Sequence, residues 1–178
     1  LEDAQDFYRD LKARTAALGR DPDTIKILPG IVPVIGSTVE EASRLERQLD
    51  ELIRPEYARL QLAKTLKVTP EDLPFDEQLP ADLPDEDEIE GAKSRYTLIV
   101  NLARREKLTV RQLIGRLGGG RGHRTFTGTP EQVADAIQHW FESDAADGFN
   151  IMPPVLPSGL RTFVDEVIPI LQARGLFR

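Results

Sequence analysis

Cysteine is absent from the 178-residue chain, which excludes disulfides and thiolate-bound metal and fits the reducing environment of the cytoplasm. Histidine is scarce: His123 and His139 are the only two, and so widely spaced a pair does not make a metal site. Long apolar runs are missing too. The longest, around Ile31 to Ile35, is strand-sized, far short of the roughly 18 residues that span a bilayer. The opening Leu1-Glu2-Asp3 carries acids where a secretory leader needs bases, and no initiating methionine precedes it. The chain starts directly inside an amphipathic pattern, the way a fragment of a longer protein begins. No basic stripe is interleaved with aromatics, so nucleic acid is not an expected partner.

Basic residues are missing from one stretch in particular. Val68 to Glu90 holds ten acids, four prolines and no Lys or Arg. Setting those ten aside leaves 23 basic side chains against 20 acidic, so the formal charge of -7 is local to this stretch. It reads as an irregular, solvated surface excursion, with a docking surface as the sharper alternative.

What is present alternates between two periods. Ala4, Phe7, Tyr8, Leu11 and Leu18 recur at helical spacing, and Gly19 stops that helix. Ile25 to Ile35 is apolar on consecutive positions, as in a strand buried on both faces, although Pro29 and Pro33 each remove a ladder donor. Thr38 and Glu41 form a capping-box pattern before a helix through Leu52, and Pro55 opens another. Helix resumes near Ala92, and Thr109 to Gln112 caps a short helix through Leu117. Gly118 to Arg124 reads as a loop. Thr129-Pro130-Glu131-Gln132 is the clearest helix start, with Val133, Ile137, Trp140 and Phe141 on the buried face. Asp147-Gly148 turns into a short strand, Phe149 to Met152, and a last helix carries Leu160 through Leu171 and ends at Gly175.

The expected class is α/β and helix-rich: residues 1–54 as helix, strand and helix; 55–124 as a helical insertion with the acidic loop at 68–90; 125–178 as helix, strand and helix. Two parallel strands cannot cover their own faces and edges, so partner strands are expected outside this sequence. Exposed edges also predict a homo-oligomer. A purely helical body in which both strands are misread is the competing reading.

Four ordered blocks carry a family resemblance: the opening LEDAQDFYRDLKARTAALGRDP with IKILPGIVPVIG, the GHRTFTGTPEQVAD stretch, AADGFNIMPP, and the closing FVDEVIPILQARGLF. Together they resemble the flavin-dependent monooxygenases of the bacterial luciferase superfamily, in the group of the nitrilotriacetate monooxygenase component A and the desulfurisation sulfone monooxygenase. The resemblance implies the C-terminal portion of a (β/α)8 TIM barrel, with Ile25 to Ile35 and Phe149 to Met152 as the last two strands. It also implies reduced FMN supplied by a separate NAD(P)H-dependent flavin reductase, oxygen, and a small organic substrate that receives one oxygen atom. The flavin-face motifs of the group's N-terminal part are absent here, so the catalytic residues are unknown and activity of this chain alone is not implied. A deazaflavin-dependent oxidoreductase of the same superfamily and a catalytically silent fragment acting through protein association stay open.

Five residues are candidates for a cofactor or substrate pocket. Arg121 and Arg124, beside the glycines at 118–122, could supply charge to a phosphate cradled by backbone N–H groups, against the plainer reading of a hinge. His123 could reach a flavin, against a surface role. Asn150 and Met152 alternate on the last strand and so point the same way, toward the mouth of a barrel or into its packing. His139 and Trp140 read as structural.

Overall fold

The computed structural model describes residues 1–52, 54–85, 88–89, 93–117 and 123–178, apart from the Ser94 side chain. The chain divides into two compact units, Leu1–Arg47 with His123–Arg178, and Gln48–Gly122.

The first unit is built on a parallel sheet. Its strands are β1 (Gly30–Ile35), β2 (Arg124–Gly128) and β3 (Asn150–Ile151), in the order β2-β1-β3. Three strands stand where two were expected, and the purely helical reading is overturned. The missed strand, β2, pairs with β1 over five residues, from Ile31 opposite Arg124 to Ile35 opposite Gly128. A barrel wound strand by strand sets successive strands side by side; here β2 and β3 flank β1.

Two prolines explain why the β1 ladders differ in length. Residues that alternate along a strand direct their N–H and C=O groups to opposite edges. Pro29 and Ile31 accept from Asn150 and Met152, both at 2.9 Å, so the odd-numbered residues face β3. Pro29 and Pro33 therefore place both missing donors on that edge, while the edge toward β2 keeps its donors. Beyond Ile31 the β3 ladder meets Pro33, and β3 itself runs into Pro153 and Pro154. Pairing stops after two residues.

Helices flank the strands along the chain. α1 (Glu2–Ala17) precedes β1, and α2 (Val39–Glu51) follows it. Thr38 Oγ1 caps the Glu41 N–H at 3.1 Å, but the Glu41 carboxylate reaches back to the N–H of Ser37 rather than Thr38, shifting the box by one residue. The turn into α2 closes tightly: a Cβ on Gly36 would sit 2.4 Å from the backbone nitrogen of Ala42. Between β2 and β3, α6 (Pro130–Glu142) starts with the expected reciprocal cap. Thr129 N–H donates to Gln132 Oε1 at 3.0 Å, and Gln132 N–H donates to Thr129 Oγ1 at 3.4 Å.

The last helix is not continuous. α7 (Ser158–Thr162) passes through a π turn at Phe163–Val167 into α8 (Ile168–Ala173). Pro169 is the cause: it has no N–H for the carbonyl four residues back, and its ring crowds that carbonyl. Phe163, Val167 and Leu171 nevertheless stay buried, closing a core with Ile31, Phe126, Val133, Ala134 and Ile137. Phe126, Trp140 and Phe149 interlock edge-on within it, with ring centroids 5.9 to 6.3 Å apart.

The second unit holds α3 (Pro55–Leu66), α4 (Lys93–Glu106) and α5 (Val110–Leu117). The acidic stretch is less of a surface excursion than its charge suggests. Its described acids are exposed, but Leu73 is fully buried and Ile89 is 3% exposed, both in the core with Leu66, Tyr96, Ile99 and Leu113. Burying side chains of that size contributes roughly 1.5–3 kcal/mol each, enough to pin the loop down. Tyr96 ties it further by donating its hydroxyl proton to the Pro84 carbonyl. Among the described residues no helix is long and apolar enough to cross a membrane.

Candidate functional site

The two sheet faces differ in chemistry. Strand alternation puts Ile31, Ile35, Phe126 and Ile151 toward the helices, where they join the core. The opposite face carries Gly30, Val32 and Val34 from β1, Thr125 and Thr127 from β2, His123 just before β2, and Met152 just after β3. Thr127 Oγ1 is buried and has no hydrogen-bond partner among the described residues. That orphan hydroxyl is the polar irregularity of this face.

His123 and Met152 converge on Gly30. A Cβ built there would lie 2.7 Å from His123 Nδ1 and 2.9 Å from Met152 Sδ, so both side chains occupy the space that glycine leaves open. Register explains the meeting. Ile31 lies opposite both Arg124 and Ile151, which sets His123 level with Gly30 and Met152 level with Val32. Met152 thus follows the C-terminal end of its own strand while sitting low on β1.

The other candidates are placed differently. Asn150 is exposed, and its Nδ2 donates to the Leu28 carbonyl at 2.8 Å, extending the grip of β3 on the segment before β1. Arg124 is the first residue of β2 and is exposed; alternation sets it on the Phe126 side, away from His123. Arg121 lies outside the described residues, as do the glycines at 118–120 and 122. His139 sits on α6 and shares a 3.4 Å contact with the Ser143 hydroxyl.

The densest electrostatic cluster of the first unit centres on Asp147, which sequence reading treated as a turn residue. Asp147 N–H donates to the Ile27 carbonyl at 2.8 Å, and Ile27 N–H donates to Asp147 Oδ2 at 2.8 Å. Oδ1 accepts from the Tyr8 hydroxyl at 3.1 Å and from Lys12 Nζ at 3.4 Å. Lys12 also donates to the carbonyls of Pro22 and Ile25. The Lys12 and Asp147 side chains are only 12% and 11% exposed. Partial burial pushes the Asp147 carboxyl up, but the Ile27 N–H, the Tyr8 hydroxyl and the Lys12 ammonium outweigh it and hold the group below the ordinary aspartate range. Burial and the Asp147 carboxylate raise Tyr8; for Lys12, burial lowers but Asp147 raises more.

Perturbed groups often mark catalysis, but these sit where β1 and β3 begin. The N-terminal ends of barrel strands serve stability, and Asp147 joins three segments there: α1, the approach to β1 and the approach to β3. Its role is a clamp.

In the second unit, the Phe75 ring takes the guanidinium of Arg59 at 4.8 Å and of Arg111 at 4.9 Å, and Arg111 pairs with Asp76. Phe75 and Arg111 line a shallow cavity of about 150 Å³ with Asp50, Pro55, Ile114 and Gly115.

No protein-family model matches the chain. Individual relatives do, over its whole length. It is 45% identical to the N-acetyl-S-(2-succino)cysteine monooxygenase of Bacillus subtilis and 43% identical to the nitrilotriacetate monooxygenase component A of Aminobacter aminovorans, with 100% of this chain covered in both. Among solved structures, a riboflavin lyase determined with modified FMN and riboflavin superposes with a TM-score of 0.74 at 25% identity, over 99% of this chain and 37% of that one. The chain spans about 40% of the length of the curated relatives it matches.

Proposed function

The chain is homologous throughout to the nitrilotriacetate-type, luciferase-like monooxygenases, and from that premise we propose that it forms part of a two-component flavin monooxygenase. The whole protein takes reduced FMN from a separate NAD(P)H-dependent flavin reductase and uses oxygen to oxygenate a small organic substrate in the cytoplasm. Identity of 45% and 43%, with the whole of this chain covered in both cases, carries this reading.

The face above Gly30 suits one part of a flavin. It offers the half-exposed thioether of Met152 and the imidazole of His123, side by side over Gly30. It does not suit a phosphate: the face carries no cation among the described residues, and Arg124 points to the other side. His123 and Met152 are therefore the residues we assign to the pocket, with Asn150 held on the Leu28 carbonyl and the phosphate held elsewhere. When bound, reduced flavin supplies the electrons that activate oxygen. The work of this chain is to orient the ring against β1 and to exclude water.

Anaerobic titration of the full-length protein with reduced FMN and with reduced deazaflavin tests the cofactor, and turnover under labelled dioxygen with a flavin reductase tests the reaction. Tighter binding of FMN and one labelled oxygen atom in the product are expected. Preference for deazaflavin, or product without label, overturns the reading.

A second reading has an observation of its own. Among the described residues β2 and β3 each have one sheet neighbour, leaving outer edges open to another strand. We propose that this chain by itself associates through those edges into a homo-oligomer. Light scattering that finds a monomer at all concentrations refutes it.

A further inference from the structure

We propose that Met152 is a peroxide-sensitive modification site whose sulfoxide forms predominantly as one of its two epimers. The proposal concerns the sulfur of this chain with no flavin bound.

Met152 carries the only sulfur in the sequence, since there is no cysteine and no second methionine. An oxidant that selects sulfur has a single target. The residue is 40% exposed, so peroxide can reach it. Its sulfur, however, is not free on all sides. Sδ sits over the β1 backbone, 2.9 Å from the point where a Gly30 Cβ would be, with His123 Nδ1 2.7 Å from the same point.

A thioether sulfur has two lone pairs, and oxygen added to one gives the opposite epimer from oxygen added to the other. The proposal sets one lone pair toward the flank where Sδ and His123 Nδ1 meet over Gly30, and the other outward. The outward pair attacks the terminal oxygen of hydrogen peroxide. The S–O bond forms as the O–O bond breaks, and the departing hydroxide takes the proton of the hydroxyl now on sulfur, leaving as water and giving the sulfoxide. Sulfur is oxidised by two electrons and the peroxide is reduced by two. Oxygen on the packed flank would have to displace the imidazole or the strand beneath it.

The product has structural consequences. Met152 N–H makes the last ladder bond of β3, to the Ile31 carbonyl at 2.9 Å. A sulfoxide is polar where the thioether was apolar, so it draws the side chain off Gly30 and loosens that tip.

The test exposes the chain to graded hydrogen peroxide, maps the oxidised peptide by mass, and then treats the product with each of the two methionine sulfoxide reductase classes, which are specific for opposite epimers. One added oxygen at Met152 is expected, with one reductase class restoring about fivefold more thioether than the other. The same oxidation in urea should abolish the bias, and so should His123→Ala, which opens the packed flank. Met152→Leu, close in shape, should gain no oxygen below the dose that attacks Trp140. Equal restoration by both reductases from the folded chain overturns the proposal. So does a Met152 that stays reduced in the folded chain at a dose that oxidises it fully in urea.

Discussion

Replacing Asp147 with alanine removes the acceptor on which three segments of the first unit meet. The N–H of Ile27 and the hydroxyl of Tyr8 lose their partner, whereas Lys12 keeps the carbonyls of Pro22 and Ile25. A stranded, partly buried donor costs about 1–3 kcal/mol, and water recovers part of it at this depth, so a loss of about 3 kcal/mol is expected for the pair. The control is Asp23→Ala. Its carboxylate lies 3.9 Å from the same lysine but its side chain is 82% exposed, and its loss should cost about 0.5 kcal/mol or less. Urea unfolding followed by Trp140 fluorescence reads the right unit, because Trp140 packs in the aromatic cluster there. A loss below about 1 kcal/mol for Asp147→Ala would refute the clamp. The pH dependence gives an independent check. The folded carboxyl is held below its ordinary range, so its contribution is complete at neutral pH and disappears as the pH falls below about 4. The gap in stability between the native chain and Asp147→Asn should therefore narrow from pH 7 to pH 3; a constant gap would mean that the charge is irrelevant. Lys12 and Tyr8 are raised, so their contribution is present below about pH 10 and is lost above it.

Two further outcomes follow from local geometry. Gly30→Ala forces a methyl group against His123 Nδ1 and Met152 Sδ and should cost about 1–3 kcal/mol in the same urea assay, with a changed His123 NMR signal as the local readout. Thr129→Ala removes one half of the α6 cap and should cost about 1 kcal/mol, while Thr129→Ser should recover most of it.

Features decided within a few residues were legible in the sequence. The α6 cap is an example, since Thr129 and Gln132 satisfy each other's backbone donors across three positions. The last helix, by contrast, was read as continuous past Pro169, and the π turn there was missed. β2 escaped because Arg124 to Gly128 holds one large apolar residue beside a glycine-rich run. Its strand character comes from the intact donors on one edge of β1, some ninety residues earlier. The acidic stretch misled for a related reason: ten like charges hid Leu73 and Ile89, whose partners lie on three separate helices. Asp147 was invisible as a clamp, since its contacts on Tyr8 and Ile27 are 139 and 120 residues away. The convergence of His123 and Met152 on Gly30 was likewise set by register, although each residue had been singled out.

The placement of Pro29 and Pro33 on one side of β1 makes that side a terminus for sheet growth. An incoming segment that tried to continue past β3 would find an acceptor at position 33 but no hydrogen to receive, and would be left with a carbonyl facing a pyrrolidine ring. The polypeptide thus encodes which flank of its middle strand can recruit neighbours, and how far, in two residues.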